Sequence, residues 1–308
     1  MVYYNPYYAF ANCLDIITND CIHKLKTIKK NKPQEPDITA TLVTDFPNLA
    51  NSLFSFTRCK FGGCFVHQSP KVEFKDSVGN NATCEAGDLL VLCRRKESGM
   101  ELYNAALFQL KKHSLKSTIH KITNTKEKIQ LELYQKWPFL ELLPNRTKHD
   151  IFPKTITSGG QYLYIVNNVD IRPYPYTLLP SMPIQITQLN LFYTWGIFLM
   201  DFIQWRTGRP ISKESDASND EWSKFIWELI NSSRNNVYNR KNIGHTNAHR
   251  ANGDFFSLML EHNPILFNDT IRNDTIRNDG VRGEKHQEME MTKGISILFI
   301  DVSEDGLR

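Results

Sequence analysis

Cysteine, glycine and proline are all sparse in this 308-residue chain, at six, 15 and 14 residues. Six cysteines are too few for a disulfide framework at this length, and the low glycine and proline exclude collagen-like and low-complexity classes. A long apolar run is also lacking. The most apolar stretch, Leu191 to Met200, spans ten residues before Asp201 and Gln204 interrupt it. Roughly 20 are needed to cross a bilayer, so this stretch reads as a buried helix and no membrane partner is expected. The start, Met1-Val-Tyr-Tyr-Asn-Pro, has neither a basic nor an apolar segment, which argues against secretion. A reduced, cytoplasmic protein is the expectation.

What is present is an ordinary globular composition, 41% apolar and 23% charged. The length allows one large domain or two of usual size. Net charge is only +4, yet it is unevenly placed. Between Arg94 and Lys128 nine bases face three acids, giving +6 there and −2 over the rest. Such a block suits contact with a polyanion, although a solvated lysine-rich face has the same composition.

Apolar spacing predicts a helix over Ala9 to Lys30, then a break through Pro36, and a second helix from about Pro47 to Lys60 ended by Gly62-Gly63. Cys64 to Phe74 reads as extended, followed by a polar turn from Asp76 to Asn81. Asp88-Leu-Leu-Val-Leu-Cys93 and Asn104-Ala-Ala-Leu-Phe-Gln-Leu-Lys111 are nearly continuous apolar runs of strand length, the pattern of strands buried on both faces. Leu131 to Leu143 is mixed, and Gln161 to Val166 is a strand candidate. Arg172 to Pro183 holds four prolines and reads as an extended connector and domain boundary. Helices are expected over Leu189 to Arg206 and Asp220 to Ser232, a loop over Asn235 to Gly253, and a final strand at Gly294 to Asp301. The tandem Asn268-Asp-Thr-Ile-Arg272 and Asn273-Asp-Thr-Ile-Arg277 is too short a repeat for a solenoid.

Alternate strand residues share a face, so Gln109 and Lys111 point the same way while Phe108 and Leu110 point into packing. If the strand opened by Asp88 lies alongside, a carboxylate, an amide oxygen and an ammonium converge at one edge of a sheet. Asp88 with Gln109-Leu-Lys111 resembles the PD-(D/E)xK, or restriction-endonuclease-like, nuclease superfamily, whose site is an acid heading one strand and acid-x-Lys on the next. Gln109 stands where the family usually has Asp or Glu, a Gln-x-Lys variant found within it. The resemblance covers about residues 45 to 130.

It implies an α/β fold, a mixed sheet flanked by helices, in a nuclease core with its N-terminal helices over residues 1–170. Residues 171–308 are expected to be a mostly helical part of unknown role. It implies metal-dependent hydrolysis of phosphodiesters, more often in DNA, in restriction or defence, with Mg²⁺ or Mn²⁺ as cofactor. Asp88 is then the main metal ligand, Gln109 an accessory oxygen ligand, and Glu85 the second carboxylate with Glu73 behind it. Lys111 orients or activates the water. Arg94, Arg95, Lys96, Lys112, Lys116 and Lys121 flank the site and bind phosphates without regard to sequence. The rivals are a catalytically inactive nuclease fold that binds nucleic acid or a protein, and an interaction subunit whose basic block is only surface. A homo-oligomer stays open.

Other features weigh less. Cys59-x4-Cys64 with Cys84 and Cys93 lacks the tight pair of a zinc site. His67 and Gln68 could approach the site from a neighbouring strand. Trp205-Arg-Thr-Gly-Arg-Pro210 offers an aromatic and two arginines for stacking on a base, or a helix end with Gly208 in the left-handed region. His245 and His249 are assigned nothing.

Overall fold

The computed structural model describes residues 6–28, 33–55, 57, 59–66, 70–114, 118–167, 176–234, 252–253 and 294–303. In chain order the elements are α1 (Pro6–Ile28), α2 (Glu35–Val43), α3 (Asp45–Leu53), β1 (Cys59–Cys64), β2 (Lys71–Lys75), β3 (Asn81–Glu85), β4 (Leu89–Glu97) and β5 (Met100–Ser114). They continue as β6 (Ile119–Lys121), α4 (Thr125–Lys136), β7 (Leu140–Leu142), β8 (Thr147–His149), β9 (Gly160–Asn167), β10 (Tyr176–Ser181) and β11 (Ile186–Gln188). Then come α5 (Trp195–Ile203), β12 (Arg209–Ile211), a 3₁₀ turn over Glu214–Asn219, α6 (Glu221–Arg234), β13 (Asn252–Gly253) and β14 (Ser296–Val302).

The main sheet is mixed, in the order β10-β9-β5-β4-β14-β1-β13, with β12 also on β5. Its central apolar runs are explained by packing on both faces. Leu89, Val91 and Cys93 of β4 and Phe108 and Leu110 of β5 join one core with α1, α2, α3 and α5. Leu90, Leu92 and Leu107 face the other way, into a core shared with α4, α6 and the small sheet β3-β2-β7-β8. The hairpin joining β4 to β5 turns at Ser98 and Gly99, both at positive φ. β5 and β9 are parallel, and α4 lies in the connection between them.

Several expectations shift. Gly62 and Gly63 do not end a helix but lie inside β1, between β14 and β13. A Cβ on Gly63 would sit 2.3 Å from the Val43 carbonyl oxygen, so the glycine is set by the close approach of α2. α2 itself begins where the break was expected, with Pro36 in its first turn. Almost all of its residues are buried, which erases the amphipathic period that marks a helix. The second expected helix ends at Leu53 rather than Lys60, and the 189–206 helix shortens to α5.

The described part of Arg172 to Pro183 is no free connector, because β10 pairs along β9. β14, from the far end of the chain, lies inside the sheet between β4 and β1. The sheet therefore crosses the division expected near residue 170. Of the part expected to be mostly helical, the described residues hold β10 to β14 as well as α5 and α6, and 235–251 and 254–293, with the tandem repeat, His245 and His249, lie outside the described residues. Among the described residues no helix is long and apolar enough to cross a membrane.

Candidate active site at the notch beside β5

β4 ends its pairing with β5 at Leu89 opposite Phe108, while β5 runs on to Ser114. Beyond Phe108 the edge of β5 that faces β4 is thus left without a strand. Backbone amides there still need acceptors. The Asp88 amide donates to the Phe108 carbonyl at 2.7 Å, and its own Oδ2 accepts the Leu110 amide at 2.7 Å. Two residues further, the Lys112 amide donates to Glu35 Oε1 at 3.1 Å. Two carboxylates from distant parts of the chain thereby take alternate amides of one strand.

Asp88 is half-buried, and burial is the largest influence on its carboxyl, pushing it up to about 7. The Leu110 amide and the Lys111 ammonium oppose that rise, while the Glu85 and Glu35 carboxylates add to it. Asp88, Glu85, Glu35 and Lys111 therefore share one electrostatic neighbourhood, with three acids and one base. Neither Glu85 nor Lys111 has a side-chain ion pair or hydrogen bond with a described residue. Both are half-buried.

Asp88, Glu85 and Lys111 act on one another electrostatically, and Gln109 lies two residues before Lys111 on β5. Gln109 is held differently from the expectation. It is 1% exposed, donates from Nε2 to the Glu85 carbonyl at 3.2 Å, and accepts on Oε1 from Gln130 of α4 at 3.1 Å. Its amide secures the turn that carries Glu85, and its oxygen is already engaged. Glu73 stands in the small sheet opposite Glu141 in β7 and does not act on Asp88.

Glu35 was missed by sequence reasoning. The one signal available was a capping pattern around Gln34-Glu-Pro-Asp37, where Asp37 Oδ2 accepts the Gln34 amide at 2.8 Å.

The basic block divides. Arg94 is 2% exposed and pairs bidentately with Asp301 of β14 through Nε and Nη2, each at 2.9 Å. Arg95 pairs with Glu97 at 3.1 Å. Both arginines and Lys96 lie toward the far end of β4, with Arg94 already about 20 Å along the strand from Asp88. They do not flank the site. Lys112 does, its Nζ donating to Gln34 at 2.8 Å, and Lys121, Lys126 and Lys128 are exposed on β6 and the first turn of α4. Lys116, His67 and Gln68 lie outside the described residues.

For a divalent cation the donor set is carboxylate oxygen from Asp88, Glu85 and Glu35. Such hard donors fit Mg²⁺ or Mn²⁺, which take one or two carboxylates and keep several waters. Among the described residues no three His, Cys, Asp or Glu side chains close on one point, so most of the ion's shell would be water and substrate. That same finding leaves the cysteines without a zinc cluster. Arg209 is buried and stacks on Trp222 at 5.1 Å, so it is structural. The first left-handed residue after α5 is Trp205, two positions past Ile203, with Gly208 a second one further on. No protein-family model, curated protein or solved structure matches this chain.

Proposed function

We propose that the notch beside β5 is the active site of a metal-dependent nuclease acting on DNA. The observation that carries this reading is the pair of carboxylates, Asp88 and Glu35, on the open edge of β5, with Glu85 and Lys111 in electrostatic reach of Asp88. A mixed sheet flanked by helices is the coarse architecture that such a site would sit on.

Asp88, with Glu85 or Glu35 as a second carboxylate, would hold Mg²⁺ or Mn²⁺, which would supply charge for the phosphate oxygens and acidify water. Lys111 presents its ammonium on the same side of β5 as Gln109. There it opposes the negative charge that builds on phosphate and steers a water toward phosphorus. The Leu110 amide fixes the Asp88 carboxylate, so the acid is set before substrate arrives. Exposed Lys121, Lys126 and Lys128 offer the backbone contacts that position a strand.

A second reading is favoured by the engagement of Gln109 with Gln130 and the Glu85 carbonyl. With no acid at that position, the notch would bind a polyanion through lysines and cut nothing. Plasmid DNA, single-stranded DNA and RNA incubated with Mg²⁺ or Mn²⁺ decide between the two. Cutting that stops in EDTA supports the enzyme; salt-sensitive binding without cutting under any metal supports the inactive module.

A further inference from the structure

A cleft lies away from the acids, beside α5 and the start of α1. Asn104 Nδ2 donates to the Phe202 and Thr207 carbonyls at 3.2 and 2.8 Å, tying the end of α5 to β5. Asn104 is five residues before Gln109, about 17 Å along the strand. Between this end of α5, the segment before it and the start of α1 lies a cleft of about 510 Å³, a volume suited to a small ligand.

Two of its aromatic walls face water. Phe192 is 82% exposed and Tyr8 55%. Asn190 Oδ1 accepts the Phe192 amide at 3.0 Å and so sets the turn that presents the ring. The charges in the cleft are balanced. Asp201 accepts the Tyr7 hydroxyl at 2.8 Å and faces the Arg206 guanidinium at 3.7 Å, and that guanidinium lies over the Tyr7 ring at 5.5 Å. Arg206 is nonetheless 63% exposed, with donors to spare.

A ligand that fits has a flat face for Phe192 and Tyr8 and an anion for Arg206. A quaternary ammonium is disfavoured because Arg206 already supplies the cation over Tyr7. We infer that the cleft is a nucleotide-binding site, with the base stacked at Phe192 and Tyr8 and the phosphate on Arg206. Free nucleotide and an unpaired nucleotide of a strand present the same chemistry.

The test is calorimetric titration of the full chain in EDTA with the four ribonucleoside monophosphates, ribose 5-phosphate and inorganic phosphate. At least one monophosphate is expected to bind with Kd at or below about 1 mM, and ribose 5-phosphate about tenfold more weakly. Phe192→Ala removes a solvent-exposed ring and leaves the fold intact, and it should weaken the nucleotide about tenfold; Arg206→Ala should also weaken it. A single-stranded oligonucleotide that competes assigns the site to strands, and one that does not assigns it to free nucleotide. Equal binding of nucleotide and ribose 5-phosphate, no nucleotide binding, or unchanged binding in Phe192→Ala overturns the inference. EDTA keeps this outcome separate from any result on cleavage.

Discussion

Asp88 Oδ2 accepts the Leu110 amide at 2.7 Å, so an acid takes the place of a strand carbonyl on the open edge of β5. A carboxyl placed there serves the sheet and is also held away from water among other acids. Its proton affinity rises accordingly, to about 7.

That rise makes Asp88 a cost to stability at high pH. Between about pH 4 and pH 7 the folded chain keeps a proton that the unfolded chain has released, so stability falls as pH rises through this window and stays lower above it. Asp88→Asn keeps an acceptor for Leu110 and removes the charge. At pH 8 the variant should be more stable than the parent by on the order of 1–3 kcal/mol, discounted for partial exposure, and at pH 4 the two should melt together. Thermal unfolding at both pH values checks this.

Metal binding should displace the same proton. Titration with Mg²⁺ at pH 6 in buffers of different ionisation enthalpy should show close to one proton released per ion, and at pH 8.5 close to none. Affinity should rise with pH and level off above 7. A pH-independent affinity would remove Asp88 from the ligand set.

Arg94 belongs to the fold rather than to a nucleic-acid surface. Its guanidinium joins β4 to β14 through Asp301 and also lies 3.8 Å from Glu101. Arg94→Ala leaves Asp301 uncompensated and should cost about 3–5 kcal/mol in a denaturant melt. The folded fraction of the variant should bind DNA as the parent does. Lys126→Gln with Lys128→Gln should instead lower the slope of binding against salt.

Gly63→Ala tests the packing of α2 on β1. The added methyl group meets the Val43 carbonyl oxygen at 2.3 Å, and the Ile297 carbonyl oxygen at 2.9 Å. Both obstacles are backbone, so the strand or helix must shift, at about 1–3 kcal/mol or more. Gly79→Ala, at a turn with nothing within 4 Å of the added carbon but a positive φ, should cost about 1 kcal/mol.

Local patterns were readable in the residues wherever one face or both faces of an element fixed the composition. Continuous apolar runs marked β4, β5 and β9, and the final run proved to be β14. The helix start at Asp220 was legible because that side chain accepts the Trp222 and Ser223 amides. α2 was not, because a nearly fully buried helix rich in Thr, Ile and Val has no polar stripe and weak helix propensity. In the candidate site, Gln109 and Lys111 were legible from strand alternation and Asp88 from its place at the head of the neighbouring apolar run. Glu35 was invisible because its approach to Lys112 spans 77 positions in the chain. The burial of Arg94 depended on Asp301, 207 positions away, and charge counting along the chain cannot show such a pair. Gln109 was identified as a site residue, but its role followed from Gln130 on a helix that the sequence left undecided.

The most direct measurement is the rate of plasmid cleavage in Mg²⁺ by the parent, Asp88→Asn and Lys111→Met, each shown folded by its melt. A metal-dependent rate in the parent that falls on the order of 100-fold or more in both variants is the predicted result. A parent that cuts and variants that cut at the same rate would place the chemistry elsewhere, and a folded parent that cuts no nucleic acid with either metal would contradict the account.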